Sequence, residues 1–379
     1  MTAPLVVVAG AGLAGAAFAA CAAARGADVV VLERTTRTPA GGIEAFAPGV
    51  HRLLAALSLH ERAHAAGFAR QEVSVLDWGN GEQPWRSPHA GAGAYDHGCH
   101  AGYGEFVELL LSRAVESGAR VLRGAEVLEP VVERDTVTGL RYHYRGEDRA
   151  VSADLVADAT GADRAVSGPL SPAERESVTH WMARSRVDGG SEGEFVLAQA
   201  QDGAEWTWSV PLHNGTGLGT LVVGGDDRGR GDGERWRGCR SARLAGAGWL
   251  SVGDAAGRAD PVFLEPATIA VLAAHTAAEA IGLLSGPGRG EYAKRYTACY
   301  TRILDCAREF AAFCLDPARR REDTETLVRG LTTLMGEGTG GALAELRSAL
   351  AGHRPLFDVE CPDGPLLASL AMPRQPEMR

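Results

Sequence analysis

Lysine is almost absent from this chain of 379 residues: Lys294 is the single lysine, and arginine supplies the rest of the 38 basic residues. Any mechanism that needs a lysine amine elsewhere in the chain is therefore excluded. Acidic residues outnumber basic residues by 48 to 38, so the formal net charge at pH 7 is −10. An acidic chain has no broad positive field, so we expect it to bind neither nucleic acid nor an anionic membrane surface.

The seven cysteines are odd in number and include no C-x-x-C pair. This pattern argues against a disulfide framework and a zinc ribbon, and it favours a reducing cytoplasm. Asp96, His97, Cys99 and His100 form a group of potential metal ligands, but their spacing fits no usual zinc pattern. We therefore expect a cytoplasmic protein with no metal site.

An uncharged run at residues 5–24 is long enough to span a bilayer or to mimic a signal peptide. No positively charged segment precedes it, its residues are mostly alanine and glycine rather than leucine, and an apolar strand pattern follows at once. We therefore expect no stable membrane insertion. The run is instead typical of the strand, turn and helix that begin a βαβ unit.

In this unit, residues 5–9 form a buried strand, residues 10–15 a glycine-rich turn and residues 16–25 a helix. In the turn, Gly10 permits the bend, Gly12 lets backbone amides approach a pyrophosphate, and Gly15 lets helix and strand pack closely. The phosphate is then expected at the helix N-terminus, beside Leu13 and Ala14.

The second strand, residues 28–33, ends at Glu33, which can accept hydrogen bonds from adenosine ribose hydroxyls. Strand, glycine turn, helix and acid in this register predict a dinucleotide site. FAD and NAD share the fingerprint, so these residues leave both dinucleotides open.

Two later segments, residues 154–163 and 249–256, each have the pattern of a buried strand that ends in a polar glycine turn, and an alanine-rich helix is predicted at 266–281. Together with the fingerprint, they resemble the FAD-binding domain of the para-hydroxybenzoate-hydroxylase-like flavoproteins. That superfamily includes aromatic hydroxylases, flavin-dependent halogenases and geranylgeranyl reductases. The resemblance covers residues 5–285 and implies that the cofactor is FAD.

The resemblance also implies roles for single residues. Asp254 would hold the ribityl chain of FAD, Gly253 would let the strand approach it, and the next helix would aim its N-terminus at the flavin, where negative charge collects on reduction. The other cofactor contacts that the resemblance implies are Arg34, Gly42, Gly161, Pro261, Pro266 and Ala267.

The fold implied is α/β, with a Rossmann-like FAD-binding domain, an inserted mixed β-sheet substrate domain and a C-terminal helical region. We expect the FAD-binding domain to be discontinuous, built from residues 1–75, 101–168 and 240–285. The substrate sheet would come from residues 76–100 and 169–239, and the helical region from residues 286–379.

Two departures from the hydroxylase pattern concern the cofactor. Where hydroxylases carry Gly-Ala-Asp-Gly, residues 158–161 read Asp-Ala-Thr-Gly, so one carboxylate is missing. This weakens the case for direct reduction by NAD(P)H and keeps a separate flavin reductase open as the partner. Hydroxylases also carry an arginine at the start of a helix that begins here near Tyr103 and Gly104, so we expect a flavin or phosphate contact either to be lost or to be supplied from elsewhere, by Arg34 or Arg37.

Trp206, Trp208 and Pro211 are similar to the Trp-x-Trp-x-Ile-Pro signature of flavin-dependent halogenases. The two rings share one face of a strand, either to shield the flavin or to pack a sheet core. Against halogenation, Glu265 would repel a halide and Pro266 offers it no N–H. No lysine lies at residues 40–100 to carry an activated halogen, so we expect a chain that is not a halogenase.

We therefore expect an FAD-dependent monooxygenase that hydroxylates a small organic or carrier-bound substrate through a flavin C4a-hydroperoxide. Glu265 would be its general acid or base. The residues expected to line the substrate pocket are Trp206, Trp208, His180 and Pro211. Two alternatives stay open: a flavin dehydrogenase or reductase with direct hydride transfer, and a flavoprotein that binds or cyclises a ligand without redox change.

Overall fold

The structure is a computed structural model that describes residues 3–39, 42–81, 83–91, 94–175, 180–187, 194–200, 205–212, 215–222, 233–258, 266–315 and 352–353. Its strands are β1 (Leu5–Ala9), β2 (Asp28–Glu33), β3 (Ile43–Phe46), β4 (Ala69–Gln71), β5 (Val73–Asp77), β6 (Trp85–Pro88), β7 (Gly98–Gly102), β8 (Arg120–Arg123), β9 (Ala125–Glu133), β10 (Thr136–Tyr144), β11 (Glu147–Ser152), β12 (Leu155–Asp158), β13 (Ala173–Arg175), β14 (His180–Val187), β15 (Glu194–Gln199), β16 (Glu205–Leu212), β17 (Gly215–Val222), β18 (Glu234–Trp236), β19 (Cys239–Ser241), β20 (Ala245–Gly246), β21 (Trp249–Ser251) and β22 (Gly257–Arg258). Its helices are α1 (Leu13–Ala24), α2 (Val50–Ala56), α3 (His60–Ala65), α4 (Tyr103–Glu116), α5 (Ser167–Leu170), α6 (Pro266–Glu279), α7 (Ile281–Ser285) and α8 (Arg289–Leu315). Two 3₁₀ turns, Gly161–Asp163 and Gly253–Ala255, follow β12 and β21.

The N-terminal sheet has six strands in the order β20-β21-β12-β1-β2-β8. All of its pairings are parallel except that of the edge strand β20 with β21. Strands β1 and β2 have the predicted bounds, because each is an apolar run too short for a helix and is closed by turn residues. The predicted βαβ unit is confirmed.

The sheet separates two apolar cores, because side chains of a strand point alternately to its two faces. On one face, Val6 and Val8 pack with α1, α4 and α6. On the other face, Val7 and Ala9 pack against the antiparallel β9-β10-β11 sheet. The result is a three-layer α/β/β domain of the predicted Rossmann-like class.

Helix α1 is buried on all sides from Leu13 to Ala23. Its alanines have small side chains and its glycine has none, which allows α4 and α6 to pack beside it. The uncharged run at residues 5–24 is therefore explained by a central helix of the domain. Among the described residues, no helix is both long and apolar enough to cross a membrane.

A second sheet has seven strands in the order β18-β14-β17-β16-β15-β5-β6. It is mixed, since β15 pairs parallel with β5 while every other pairing in the sheet is antiparallel. The inserted mixed sheet of the predicted fold class is therefore confirmed. Its strand β16 also packs against β7 and β3 of a small sheet with the order β3-β7-β4.

Four elements differ from the prediction. Helix α1 spans Leu13–Ala24 and not 16–25, because the Ala16 N–H already bonds to the Gly12 carbonyl oxygen and closes the first helical turn within the predicted glycine turn. The helix predicted at 266–281 ends at Glu279, and α7 follows it as a separate helix. The glycine, aspartate and arginine residues at 224–238 predict a solvated hairpin or loop, but part of this segment forms β18, whose residues pair with β14 and so satisfy their backbone groups. The C-terminal region is helical from Arg289 to Leu315, and the helices predicted further on lie outside the described residues. The predicted domain boundaries stay predictions.

Histidines are concentrated where the small sheet meets α2 and the second sheet. His100 of β7 is fully buried, its Nδ1 lies 3.1 Å from the Pro211 carbonyl oxygen, and its Nε2 has no hydrogen-bond partner among the described residues. Burial is the main cause that lowers the pKa of His100 to about 4. The same cause lowers the pKa values of His51 and His89 to about 4. These side chains are therefore neutral at pH 7.

This arrangement predicts acid sensitivity. An unfolded histidine titrates near pH 6.5, so the unfolded chain binds more protons than the folded chain between pH 6.5 and 4, and stability is lost as pH falls through that window. His100→Asn keeps a donor for the Pro211 carbonyl but cannot titrate. Between pH 7.5 and pH 5, the free energy of unfolding of the wild type should fall by about 2 kcal/mol more than that of His100→Asn.

Urea unfolding at the two pH values measures this difference. His64→Asn, at an exposed histidine of α3, is the control and should behave as the wild type. An equal loss of stability in the wild type and in His100→Asn would contradict a role for His100.

Candidate functional site: a dinucleotide cleft

The glycine-rich segment that follows β1 and continues into the first turn of α1 is close-packed at two of the predicted glycines. Gly10 has a φ of +95°, and a Cβ there would lie 2.4 Å from the carbonyl oxygen of Ala159. A Cβ on Gly15 would lie 2.0 Å from the carbonyl oxygen of Gly10. Both positions therefore require glycine, and their packing leaves the N-terminal amides of α1 at the end of the turn.

The carboxylate of Glu33 holds this turn from the end of β2. Its Oε2 accepts the backbone N–H of Ala11 at 2.7 Å, and its Oε1 accepts the N–H and the hydroxyl of Thr35, both at 2.7 Å. Glu33 thus connects the glycine turn to the turn that follows β2. The adenosine ribose that the resemblance implies would meet a carboxylate whose position the backbone already fixes.

Asp158 begins the Asp-Ala-Thr-Gly segment that departs from the hydroxylase pattern, and it is a structural residue of the site. It is fully buried, its Oδ1 accepts the N–H of Thr160 at 3.0 Å and the Thr160 hydroxyl at 2.6 Å, and its Oδ2 accepts the N–H of Ser167 at 2.7 Å. The Asp-Ala-Thr-Gly segment is therefore a rigid turn that presents Gly161 to solvent space beside the glycine turn.

Between these turns lies a cleft of about 490 Å³. Five of the predicted cofactor residues line it: Gly10, Gly12, Glu33, Arg34 and Gly161. The guanidinium of Arg34 is bonded to the Asp163 carboxylate at 2.6 Å, and the Arg34 side chain is 66% exposed. Arg34 is the only cationic side chain among the described residues that line the cleft.

The segment with Gly253 and Asp254 lies beside the first turn of α1, where Gly253 packs on Ala14. The Asp254 carboxylate forms an ion pair with Arg258 at 3.1 Å, and the Arg258 guanidinium also lies 5.0 Å from the centre of the Trp236 ring. The Asp254 side chain stays 45% exposed, so a polar ligand can reach it.

Buried Arg164 joins this segment to the Asp158 turn. Its Nε donates to the carbonyl oxygen of Ala255 at 3.2 Å, and its Nη2 donates to the carbonyl oxygen of Ser171 at 2.8 Å. Because the residues it connects are far apart in the chain, no local sequence pattern marks Arg164 as part of the site.

Helix α8 fixes the same segment from the other side through two buried tyrosines. The Tyr296 hydroxyl donates to the carbonyl oxygen of Ser251 at 2.8 Å, and the Gly253 N–H donates to the Tyr300 hydroxyl oxygen. Burial raises the pKa of Tyr300, and nearby Asp254 raises it further, so the phenol stays neutral. The position of Asp254 therefore depends on a helix that lies beyond the region of family resemblance.

The predicted pocket residues lie in the second sheet and not in the cleft. Trp206 is fully buried with its ring 5.9 Å from that of Trp78, and Trp208 is half-buried and packs on Gly219. His180 is buried, 5.9 Å from the Trp236 ring. Pro211 accepts from His100.

Trp206 belongs to the apolar core that contains α1, and Trp208 packs against it, which supports the packing interpretation of the pair. Pro266 and Ala267 begin α6 as predicted. Glu265 and Pro261 lie outside the described residues, so the role proposed for Glu265 stays a prediction. Among the described residues, no three His, Cys, Asp or Glu side chains are placed to hold a metal ion.

The residues present fit a dinucleotide. The close-packed glycine turn leaves helix amides open to a pyrophosphate, the fixed Glu33 carboxylate faces the same cleft, and Asp254 follows Gly253, which packs on Ala14 in the first turn of α1. The amides would hold the pyrophosphate of FAD, Glu33 the adenosine and Asp254 the ribityl chain.

The contact between Tyr300 of α8 and Gly253 leads to a testable prediction. Tyr300→Phe leaves the buried Gly253 N–H without its acceptor, which should lower the free energy of unfolding by about 1–3 kcal/mol. Because Asp254 follows Gly253, the affinity for FAD should also fall, by about threefold to tenfold. Urea unfolding and a fluorescence titration with FAD measure the two effects.

Tyr292→Phe, at a half-buried tyrosine of the same helix, is the matched control and should change neither quantity. A stability loss in Tyr300→Phe with unchanged FAD affinity would show that α8 does not position Asp254.

Comparisons with known proteins agree with this cofactor. Residues 6–165 match the family model of FAD dependent oxidoreductases. The tryptophan 2-halogenase of Chondromyces crocatus is 25% identical over 231 residues, which are 58% of this chain and 43% of that protein. The match thus spans less than half the length of that relative. Three further relatives also carry the name flavin-dependent halogenase.

Solved structures show the same fold over nearly the whole chain. The myxobacterial chondrochloren halogenase CndH has a TM-score of 0.72 at 20% identity, over 93% of this chain and 97% of that one. The tetrameric form of 2-methyl-3-hydroxypyridine-5-carboxylic acid oxygenase has a TM-score of 0.71 at 17% identity, over 92% and 98%.

These findings correct the predicted activity. The expectation of a hydroxylating monooxygenase that is not a halogenase is wrong, because the matched relatives and several of the structural neighbours are halogenases. The charge of Glu265 and the missing N–H of Pro266 do not determine where a halide would bind, and a missing lysine removes one route for halogen transfer rather than the reaction.

The predicted superfamily and the FAD cofactor are confirmed by the same findings. The fold, the glycine turn with Glu33, and the family match agree with one another. Residues 6–165, which include the glycine turn and Glu33, match the family of FAD dependent oxidoreductases.

Proposed function

We propose that this chain is a flavin-dependent halogenase that replaces a hydrogen on an electron-rich carbon of a small organic substrate by a halogen. The observation that carries the proposal is strand β16, whose Trp206, Trp208 and Pro211 resemble the halogenase signature and occupy the middle of the seven-stranded sheet. The names of the curated relatives support the same activity.

The reaction has a simple balance. Substrate R–H, one halide ion, O₂, reduced FAD and one proton give R–X, oxidised FAD and two molecules of water. Reduced FAD supplies two of the four electrons that O₂ takes up. The other two come from the substrate and the halide ion, which are oxidised together when the C–H bond is replaced by a carbon–halogen bond. The tasks of the protein are to hold FAD, bind halide and substrate, and exclude water from the oxidant.

The described residues suit two of these tasks, which are to hold FAD and to exclude water. Glu33, the glycine turn and Asp254 would hold FAD. The second sheet offers an apolar wall, since Trp206 is fully buried against Trp78 and the Pro211 carbonyl is fastened to His100. Such a wall restricts access of water and limits unproductive loss of the oxidant.

No lysine takes part in the proposed reaction. Lys294 lies on α8, is 82% exposed and is 3.9 Å from the Glu291 carboxylate, so its amine belongs to the outer surface. Residues 40–100 hold no lysine either. The proposal therefore requires that halogen reach the substrate without a lysine amine as carrier.

A separate flavin reductase is the proposed source of reduced FAD. The support for it is the Asp-Ala-Thr-Gly turn, in which Thr160 replaces the carboxylate found in hydroxylases, and whose Asp158 is engaged with the backbone of its own turn. The cytoplasmic location expected from the cysteines stays a prediction.

The activity test combines the purified chain with FAD, a flavin reductase, NADH, oxygen and a panel of indoles and phenols, with chloride or bromide. We expect halide-dependent products with the isotope doublet of chlorine or bromine in the mass spectrum, and none with NADH when the reductase is left out. Catalase is present throughout, so that free peroxide does not contribute.

Two comparisons sharpen this test. Lys294→Arg should form the halogenated product at the wild-type rate, because its amine is remote from the sheet. Products that gain oxygen in place of halogen, at saturating halide, would contradict the proposed function.

A further inference from the structure

Tyr103 lines the cleft together with five of the predicted cofactor residues. It lies at the start of the helix where hydroxylases carry an arginine. It is the first residue of α4, and its backbone N–H donates to the carbonyl oxygen of Gly42 at 2.8 Å. A Cβ on Gly42 would lie 2.7 Å from the Cβ of Tyr103. The absence of a side chain at Gly42 therefore makes room for the tyrosine.

The hydroxyl of Tyr103 reaches the N-terminus of α1. The backbone N–H of Leu13, the first residue of that helix, is near enough to the hydroxyl to lower the pKa of Tyr103. The preceding residue, Gly12, has no side chain to cap the helix, and a Cβ there would lie 3.0 Å from the same hydroxyl. The phenol hydroxyl thus lies at the end of the helix that favours anions.

The surroundings keep this phenol protonated. Burial raises the pKa of Tyr103, and the carboxylates of Glu44, Glu33 and Asp254 raise it further. A neutral phenol has one proton to donate and two lone pairs that accept. Because Tyr103 lines the cleft, this proton can be donated to an acceptor that binds there.

An anionic ligand needs such a donor here. Arg34, the one cation among the described residues lining the cleft, is mostly exposed and bonded to Asp163. Glu33 and Glu126 add negative charge to the same lining. Neutral donors therefore have to supply the contacts to a pyrophosphate, because phosphate oxygens only accept.

We propose that Tyr103 is a cofactor-binding residue, whose hydroxyl lines the cleft beside Gly12 and donates its proton to the pyrophosphate of FAD. It replaces, with a neutral donor, the arginine found near this position in hydroxylases. The inference rests on FAD binding in the cleft and is independent of halogenation.

Ligands that differ in the pyrophosphate test the contact directly. Calorimetric titration of the apoprotein with ADP, adenosine and FAD compares the wild type with Tyr103→Phe, which keeps the ring and removes the hydroxyl. Affinity for ADP and for FAD should fall about tenfold, which is about 1.4 kcal/mol, and affinity for adenosine should not change. Tyr103→Gln, which keeps both a donor and an acceptor, should recover part of the loss.

Tyr292→Phe is the control, at a tyrosine of α8 that does not line the cleft. Unchanged or tighter ADP binding by Tyr103→Phe would overturn the proposal, the tighter result because the hydroxyl would then compete with phosphate for the Leu13 amide. Equal losses for adenosine and ADP would overturn it too, since they would indicate a general structural role. A chain that binds ADP as expected but forms no halogenated product would refute the proposed function and leave this inference intact.

Discussion

Both oxygens of the Glu33 carboxylate accept hydrogen bonds from the protein itself, and the cleft depends on this interaction. The bonds to Ala11 and Thr35 join the turn after β1 to the turn after β2, the two segments between which a dinucleotide would lie. An acid without these bonds would have to be ordered by the ligand at an entropic cost. With them, the site is organised before the cofactor arrives, and Tyr103 and the amides of α1 can be placed against it.

The far side of the site is held by contacts between segments that are distant in the chain. Asp158 closes its own turn, Arg164 joins that turn to Ala255, and Tyr300 of α8 fastens Gly253. Each of these groups is buried, so loss of one partner leaves an unsatisfied polar atom in the core. A C-terminal helix outside the FAD-binding fingerprint therefore contributes to the geometry of the cofactor site.

The sequence was sufficient for the parts of the site that depend on local pattern. Gly10, Gly15 and Glu33 were recognised because turn, helix and strand follow one another in a fixed register. Tyr103 could be located but not interpreted, since Gly12, beside which its hydroxyl lies, precedes another helix. The exclusion of halogenation failed for a related reason: it used the chemistry of Glu265 and of an absent lysine, whereas the outcome depends on how groups surround a halide in space.

The binding of FAD in the cleft organised by Glu33 is the central claim, and one titration tests it most directly. The dissociation constant for FAD is measured for the wild type, for Glu33→Gln and for Glu126→Gln, which removes an equal charge from the same lining without touching the turns. The account predicts a loss of about tenfold or more for Glu33→Gln, because a bound carboxylate that serves several donors is replaced by one amide oxygen, and wild-type affinity for Glu126→Gln. FAD binding by Glu33→Gln with wild-type affinity would contradict it.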